Sequence, residues 1–458
     1  MKINLNILNV SLFLILLGVF FLPFNSWEGI PLLGEYYRDS CVLFFLTAFV
    51  VLIFKKKLNL PLHSPIFYTL VVFLIWTVIS TLLNTDSVSQ YFFKQTSGSV
   101  RFLRQFLSLI IAAFILPITF YNCFLHFETK KLIFKIRRVI YYSFVVVIMY
   151  SIIEVLIVKF NLTFLKTSIL NLFDYFPFVD AKIDPRLARI SSVTFEPPAL
   201  GTYLITIFSW MCSYIITSKN SYSKFIPPIL VIVLAFISGS RAAFFIILIQ
   251  AFVFVIGISQ SREYSKLFSK IVTALVIIIS ISFIVSAPKL VNYVSNEVQS
   301  FKLDDEDHSL SNKSRFGIQY AMYKVFLENP ITGTGYGQQA FESRSKYPNW
   351  AKRNNWEFRL KYLNQNNKRF PPGYNLYLRL ASETGIIGVG IFLLFLLYIL
   401  IWCYNNIKHN NNLLGMIVLI SIVGFLLNWL KMDTFRIYGF WICLALIFSV
   451  TQKKLNHE

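Results

Sequence analysis

Apolar residues in this chain fall into long stretches separated by short polar clusters, and a membrane-spanning helix needs about 20 mostly apolar residues. Twelve such stretches can be marked, near 7–24, 40–54, 66–83, 105–121, 139–158, 199–216, 225–239, 242–259, 271–287, 384–404, 413–430 and 438–452. The seventh and eighth look at first like one run from Phe225 to Ser259, interrupted only by Ser238, Gly239, Ser240 and Arg241. At about 1.5 Å per residue a single helix of that length would measure roughly 50 Å, against a hydrocarbon core of about 30 Å. The run therefore predicts a hairpin with Arg241 at its turn. Two polar segments, 159–198 and 287–383, are too long to be mere connectors, and long loops in compact proteins are usually functional. The second predicts a helix of its own in SRFGIQYAMYKVFLENP, where Phe316, Tyr320, Tyr323 and Phe326 or Leu327 recur at helical spacing.

Composition narrows the class. The chain is 56% apolar and 14% charged, whereas soluble domains carry about 25% charged residues. A soluble enzyme, a disordered chain, a collagen-like repeat and a disulfide framework are all excluded. What remains is an all-α polytopic membrane protein. The expectation is about 12 transmembrane helices in a single integral membrane domain over residues 1–458, with a partly helical outer loop between the ninth and tenth spans. With the N-terminus in the cytoplasm, the inner segments hold 17 basic residues, from Lys2 through Lys130, Lys131, Arg137 and Arg138 to Lys454. The outer segments other than the longest hold 12. Positive charge concentrates on the cytoplasmic side, so both termini are expected there, with 159–198 and 287–383 outside, in the periplasm. The first stretch has no small-residue cleavage site before the Trp27–Asp39 loop and reads as a retained helix.

The formal charge of +21 then divides. Inner segments hold 17 basic and three acidic residues, a surplus of 14, which is largely topology. The outer side, counting Glu154, holds 26 and 19, a surplus of 7, enough to attract an anionic ligand without invoking nucleic acid.

The outer segments carry arginines at short spacings: Arg101 and Arg104, Arg186 and Arg189, then Arg241, Arg315 and Arg379. The planar guanidinium suits pyrophosphate bidentately, although arginines near helix ends also snorkel to headgroups. Glu196, in RISSVTFEPPALG, precedes Pro197 and Pro198 at a helix start. It reads either as an acid favoured by the helix dipole or as a half-buried general base. Glu154, within the fifth stretch, is a second ionisable group at an expensive depth, or the partner of an arginine. ENPITGTGYGQ (328–338) reads as a glycine-rich turn more readily than as a phosphate cradle. Asn375, Arg379 and Glu383 follow at successive i,i+4 positions, either a polar site wall or an interfacial ion pair. Tyr336, Trp350, Trp356, Tyr362, Tyr374 and other outer aromatics suit sugar stacking or a membrane-interface belt. The run Asp304–His308 could bind a divalent metal but reads more simply as a solvated charge run. The five cysteines lie in or beside the apolar stretches, and no CxxC, GxxxxGK[ST] or HExxH occurs. Disulfides, zinc, nucleotide and other cofactors are not expected.

Taken together, RISSVTFEPPALG, the SGSR turn at Ser238–Arg241, and the loop carrying RFGIQYAMYKVFLENPITGTGYG and YNLYLRLASETGIIG resemble the O-antigen polymerase and ligase superfamily of bacterial membrane glycosyltransferases. The resemblance covers roughly residues 185–390. It implies a GT-C-like fold in the bacterial inner membrane, a site on its outer face, and glycans linked through pyrophosphate to a polyprenyl lipid as both donor and acceptor. No nucleotide sugar exists outside the cytoplasm, so the leaving group must travel with the donor. By that likeness Arg189 and Arg241 hold the pyrophosphate, with Arg101, Arg104, Arg186 and Arg315 as further binding residues. Tyr374, Asn375, Arg379 and Glu383 match the last motif, and Glu196 takes the acceptor proton. Membrane lipid and a chain-length regulator protein are the other implied partners, and no metal is. Where the ligases have His before the Asn, this chain has Tyr374, which favours a polymerase over a ligase. A transporter or flippase stays open as a different class, although transporters commonly show two repeat halves and none is evident here.

Overall fold

The computed structural model describes residues 2–54, 58–183, 189–218, 222–259, 269, 309–410 and 413–456. The expected ninth stretch at 271–287, Arg186, the acidic run Asp304–His308 and the basic residues Lys55–Lys57 lie outside the described residues. The other eleven apolar stretches all coincide with helices. These are α1 (Lys2–Phe20), α2 (Ser40–Ile53), α3 (Pro65–Leu83), α4 (Gly98–Phe124), α5 (Thr129–Phe160), α6 (Pro197–Thr217), α7 (Ile226–Ile237), α8 (Arg241–Ser259), α10 (Leu376–Asn410), α11 (Leu413–Asn428) and α12 (Tyr438–Leu455). Between α8 and α10 lies α9 (Ser309–Glu328). Six of them, α3, α4, α5, α6, α8 and α10, are long and apolar enough to cross a membrane. The only strands among the described residues are β1 (Phe92–Phe93) and β2 (Thr96–Ser97), paired antiparallel. The molecule is thus an all-α polytopic membrane protein.

The centre of the bundle is α12, buried at every position from Tyr438 to Val450. A helix apolar on all sides has no face to offer water. It packs on the second half of α4, where a π-turn at Ile111–Ile115 precedes Pro117. Proline lacks an N–H and clashes with the carbonyl four residues back, and the wider turn absorbs both defects. Gln250 of α8 sends its amide to the carbonyls of Ile205 in α6 (3.1 Å) and Ile420 in α11 (3.0 Å). In an apolar medium such a side-chain bond fixes how three helices sit together.

The expected hairpin forms: α7 ends at Ile237, α8 begins at Arg241, and Gly239 turns between them at φ 68°. The helix expected in the long loop forms too, as α9, but its stripe faces the other way from a core stripe. Phe316, Tyr320, Tyr323 and Leu327 are exposed, while Ile318, Ala321, Met322 and Val325 are fully buried. The smaller side chains let α9 lie close on α10 and on the short helix Asn349–Lys352.

The glycine-rich segment after α9 is a structural clasp. Gly333, Gly335 and Gly337 all take positive φ, which only glycine does cheaply. The amides of Thr334 and Gly335 donate to the carbonyls of Ser382 (3.0 Å) and Glu383 (2.9 Å). Those carbonyls are free because α10 breaks at Gly385, where φ is 65° and ψ −171°. The amides are thereby spent on protein, which decides for the turn reading. Ser80 of α3 donates to the carbonyls of Thr332 and Glu383, locking the clasp onto the bundle.

A second clasp is Lys94, 1% exposed, whose ammonium donates to the carbonyls of Lys361 (2.6 Å), Asn364 (3.0 Å) and Asn367 (2.9 Å). Hydrogen bonds from a charged group contribute about 1.5–3 kcal/mol each. Lys94→Met is expected to release the 361–367 turn, read as faster amide hydrogen exchange there with no change in the exchange of α12.

Candidate functional site

The segment Arg189–Glu196 runs from the long loop into α6, and its course is set by Glu154 of α5. That carboxylate, 1% exposed, accepts from the Ser191 amide (3.1 Å) and hydroxyl (3.2 Å) and from the Ser192 amide (2.7 Å). Its role in the structure is to pin this turn, in which Ser192 takes φ 54°. Upstream of the turn, Arg189 donates through Nη2 to the Gly239 carbonyl (2.6 Å) and lies against Gly239 itself, where a Cβ would press on the guanidinium stem. The α7–α8 turn and the 189–196 segment are therefore one unit, with Arg241 partly buried at the first position of α8.

Downstream of the turn, Glu196 occupies the N-cap position of α6 in extended conformation, and its side chain makes no cap bond. Pro197 and Pro198 fit the first turn because no amide is needed there. The carboxylate is solvent-accessible, yet protein crowds it closely enough that burial pushes it above the usual carboxylate range. Arg315, Lys431, Arg189 and Lys361, in that order of effect, pull it back down. One acid thus stands among four cations drawn from α9, the α11–α12 loop, the segment before α6, and the turn at Glu357–Tyr362.

Arg315 is exposed, its guanidinium 5.4 Å from the Tyr374 ring centre. Tyr374 sits at φ 56°, its hydroxyl 2.9 Å from that of Tyr362. Burial raises its hydroxyl above the ordinary tyrosine range. Lys361 shares its charge with Glu357 at 3.6 Å. At the edge of the cluster Arg38 lies 5.9 Å from the exposed Phe195 ring.

The remaining expected residues form a different arrangement. Arg379 is 7% exposed and donates through Nε to Glu383, which is fully buried, at 3.2 Å. Its other nitrogens reach the Asp433 carbonyl and Gln105, each at 2.8 Å. Gln105 and Arg101 both donate to Glu35 (2.7 and 3.2 Å), and Arg101 also stacks on Phe370 at 4.3 Å. The ion-pair reading of Arg379 and Glu383 describes their geometry. Asn375, one turn earlier, does not join the pair: its side chain accepts from the Leu378 amide (3.1 Å) and caps α10, as Asn does well at a helix start. Nor do Arg101 and Arg104 act as one fork, because Arg101 turns inward to Glu35 while Arg104 is exposed. Of the expected residues the structure brings Glu196, Arg189, Arg315 and Tyr374 to one place, with Arg241 across the Gly239 turn.

Sequence reading missed Lys431, Lys361, Arg38, Glu35 and Asp433. A signal for two of them was present. The short connector between α11 and α12 carries Lys431, Asp433 and Arg436 within six residues, dense for a link between two apolar helices. Among the described residues no group of His, Cys, Asp and Glu is arranged to hold a metal.

Fold and site together define a polytopic membrane protein with a polar, cation-rich cluster built from its interhelical loops at one end of the bundle. Residues 228–393 match a family model described as O-antigen ligase, and with that match the likeness to the O-antigen ligase and polymerase superfamily holds. Members of this family are glycosyltransferase-like enzymes acting on glycans. The matched stretch includes Arg241, Arg315, Tyr374, Asn375, Arg379 and Glu383, whereas Glu196, Arg189, Arg101 and Arg104 precede it. A comparison with curated proteins gives no match.

The two clusters should respond differently to substitution. Glu383→Ala takes from the buried Arg379 cation its nearer and fully buried carboxylate, leaving Asp433 at 3.8 Å, and is expected to destabilise by about 3–5 kcal/mol, seen as a fall in the unfolding temperature in detergent. Arg315→Ala, at an exposed position, is expected to stay within about 0.5 kcal/mol of the parent.

Proposed function

We propose that this chain is a polysaccharide polymerase that joins polyprenyl-pyrophosphate-linked oligosaccharide repeat units, of O-antigen or capsule, on the outer face of the cytoplasmic membrane. Both termini then lie in the cytoplasm. The observation that carries the reading is the position of Glu196, an accessible carboxylate on a pinned turn, surrounded by Arg315, Lys431, Arg189 and Lys361.

The chemistry follows from that position. A hydroxyl of one lipid-linked unit attacks the anomeric carbon of the chain carried by the other. Its proton passes to Glu196, the anomeric C–O bond breaks, and the bonding pair leaves on the lipid pyrophosphate. Arg189 and Arg241, on the two sides of the Gly239 turn, stabilise the charge that develops there. Attack from the face opposite the leaving group inverts the anomeric centre.

Transfer of the finished glycan to lipid A core or to a protein is the second reading, favoured by the description of the matching family as a ligase. The residue before Asn375 supports the first. Tyr374 stands there, and a tyrosine whose proton is held more tightly than usual is a poor base near neutral pH. Deleting the gene separates the two: loss of a polymerase leaves single repeat units on the acceptor, whereas loss of a ligase leaves none and accumulates lipid-linked chains.

Reconstituted with a defined lipid-linked repeat unit and no nucleotide or metal, the protein is expected to make a ladder of products. Glu196→Gln should slow polymer formation by about 10²–10⁴-fold, and Arg189→Ala or Arg241→Ala by about 10²–10³-fold. Glu196 works as the deprotonated form and its pKa is raised, so the parent rate should climb with pH above the ordinary glutamate range of about 4.3. Glu196→Gln should abolish that climb. Long polymer made at the parent rate by Glu196→Gln and Arg241→Ala at normal expression would sink the assignment.

A further inference from the structure

Lys431 differs from Lys94 and Lys453, two other lysines whose ammonium groups are turned into the protein. Lys94 satisfies its ammonium on three carbonyls, and Lys453 on the carbonyls of Phe124 (3.0 Å) and Phe127 (2.5 Å). The Lys431 ammonium nitrogen is shut off from solvent and makes no hydrogen bond among the described residues. Its loop is firmly held. The Trp429 carbonyl accepts from the Leu376 amide (2.8 Å), and Asp433 accepts from the Gly373 amide (2.7 Å). The nearest acid on its own loop, Asp433, is thus occupied by Gly373 and lies 3.8 Å from Arg379. The charged groups that face Lys431 from other elements are Arg315 of α9 and Glu196 at the start of α6. Arg189 and Lys361 share the influence on Glu196.

A nitrogen able to donate three hydrogen bonds, enclosed and making none, is costly to bury. The surrounding groups offer it a like charge and one shared carboxylate. We propose that Lys431 is a further binding residue for the pyrophosphate of the lipid-linked substrate, a phosphate oxygen supplying the acceptor its ammonium lacks. The inference rests on the reading of this end of the bundle as a lipid-pyrophosphate site. It goes beyond the family match, because Lys431 lies outside residues 228–393. Without the anion, burial and Arg315 push the Lys431 ammonium down to about 7, while Glu196 pulls the other way. An oxyanion in contact favours the charged form and makes a charge-assisted bond with it. Binding therefore takes up a proton from solvent near neutral pH.

The sign follows by linkage. A group whose pKa is near 7 when free and well above 8.5 when bound weakens binding as pH rises through about 7, by about 20-fold between about pH 6.5 and 8.5. The test measures binding to the full chain in phosphatidylcholine nanodiscs of a polyprenyl pyrophosphate capped by one neutral sugar. Its diester stays doubly ionised over that range. The parent should lose about 20-fold in affinity, and Lys431→Arg, which keeps its charge throughout, should bind while losing most of that slope. Lys431→Met should bind weakly at both pH values with an unchanged hydrogen-exchange pattern in α11 and α12. Sugar-capped polyprenyl monophosphate and phosphatidylglycerol serve as separate arms and should bind about tenfold or more weakly than the pyrophosphate. Equal binding of either overturns the ligand assigned, and a slope in Lys431→Arg equal to the parent's overturns the residue. A slope lost in Lys431→Arg alongside no polymer from the parent leaves this inference standing and removes the polymerase reading. Polymer from the parent alongside an unchanged slope does the reverse.

Discussion

Arg379 reaches three separate parts of the chain at once: Glu383 one helical turn along α10, Gln105 on α4, and the Asp433 carbonyl in the α11–α12 loop. Among apolar helices a guanidinium persists only where its donors find acceptors and its charge a carboxylate. Satisfying Arg379 therefore fixes where α4, α10 and that loop meet. The Glu383 backbone extends the same constraint, because its carbonyl receives Gly335 and Ser80 and so ties the long loop and α3 to the break at Gly385. On the far side Gln105 hands on to Glu35 and Arg101, and Arg436 donates to the Glu35 carbonyl and to Asp39 at 3.3 Å. Much of the polar chain at this end of the bundle is positioned by that network.

The candidate site lies beside the network and depends on it. Lys431 and Asp433 are two residues apart, one enclosed without a hydrogen bond among the described residues, the other bound to Gly373 and near Arg379. The structural half of the loop holds the other half in place. Glu154 does the same for Glu196 by gripping Ser191 and Ser192. In each case a carboxylate bonded to backbone amides, Asp433 to Gly373 and Glu154 to Ser191 and Ser192, orders the backbone on which a less satisfied charged group is mounted. Loops placed by rigid elements commonly carry function for this reason.

Particular residues show how far the sequence could be read. The helices were legible because an apolar stretch bounded by charge has few solutions in a bilayer, where backbone groups must bond within the segment. The Arg241 hairpin followed from length alone. On α9 the helix was legible and its orientation was not. Phe316, Tyr320, Tyr323 and Leu327 have the spacing of a buried stripe, but close packing selected the smaller Ile318, Ala321 and Met322 face instead. Asn375, Arg379 and Glu383 were visible as a polar row, yet nothing local said that Asn375 would cap the helix while the other two turned to each other.

The sequence by itself determined a basic, all-α membrane protein with two long polar segments, and singled out Glu196, Arg189, Arg241 and Arg315 as candidates, because hydropathy and local motif depend only on near neighbours along the chain. Only the tertiary structure decided which of its charges are spent on one another and which are left to act. Arg379 finds Gln105 across more than 270 positions, and Lys431 comes to face Glu196 and Arg315 from a loop whose charge is dense in sequence but whose partners are not legible there. Whether a charge is satisfied depends on what lies within hydrogen-bond reach in space, and along the chain that distance has no signature.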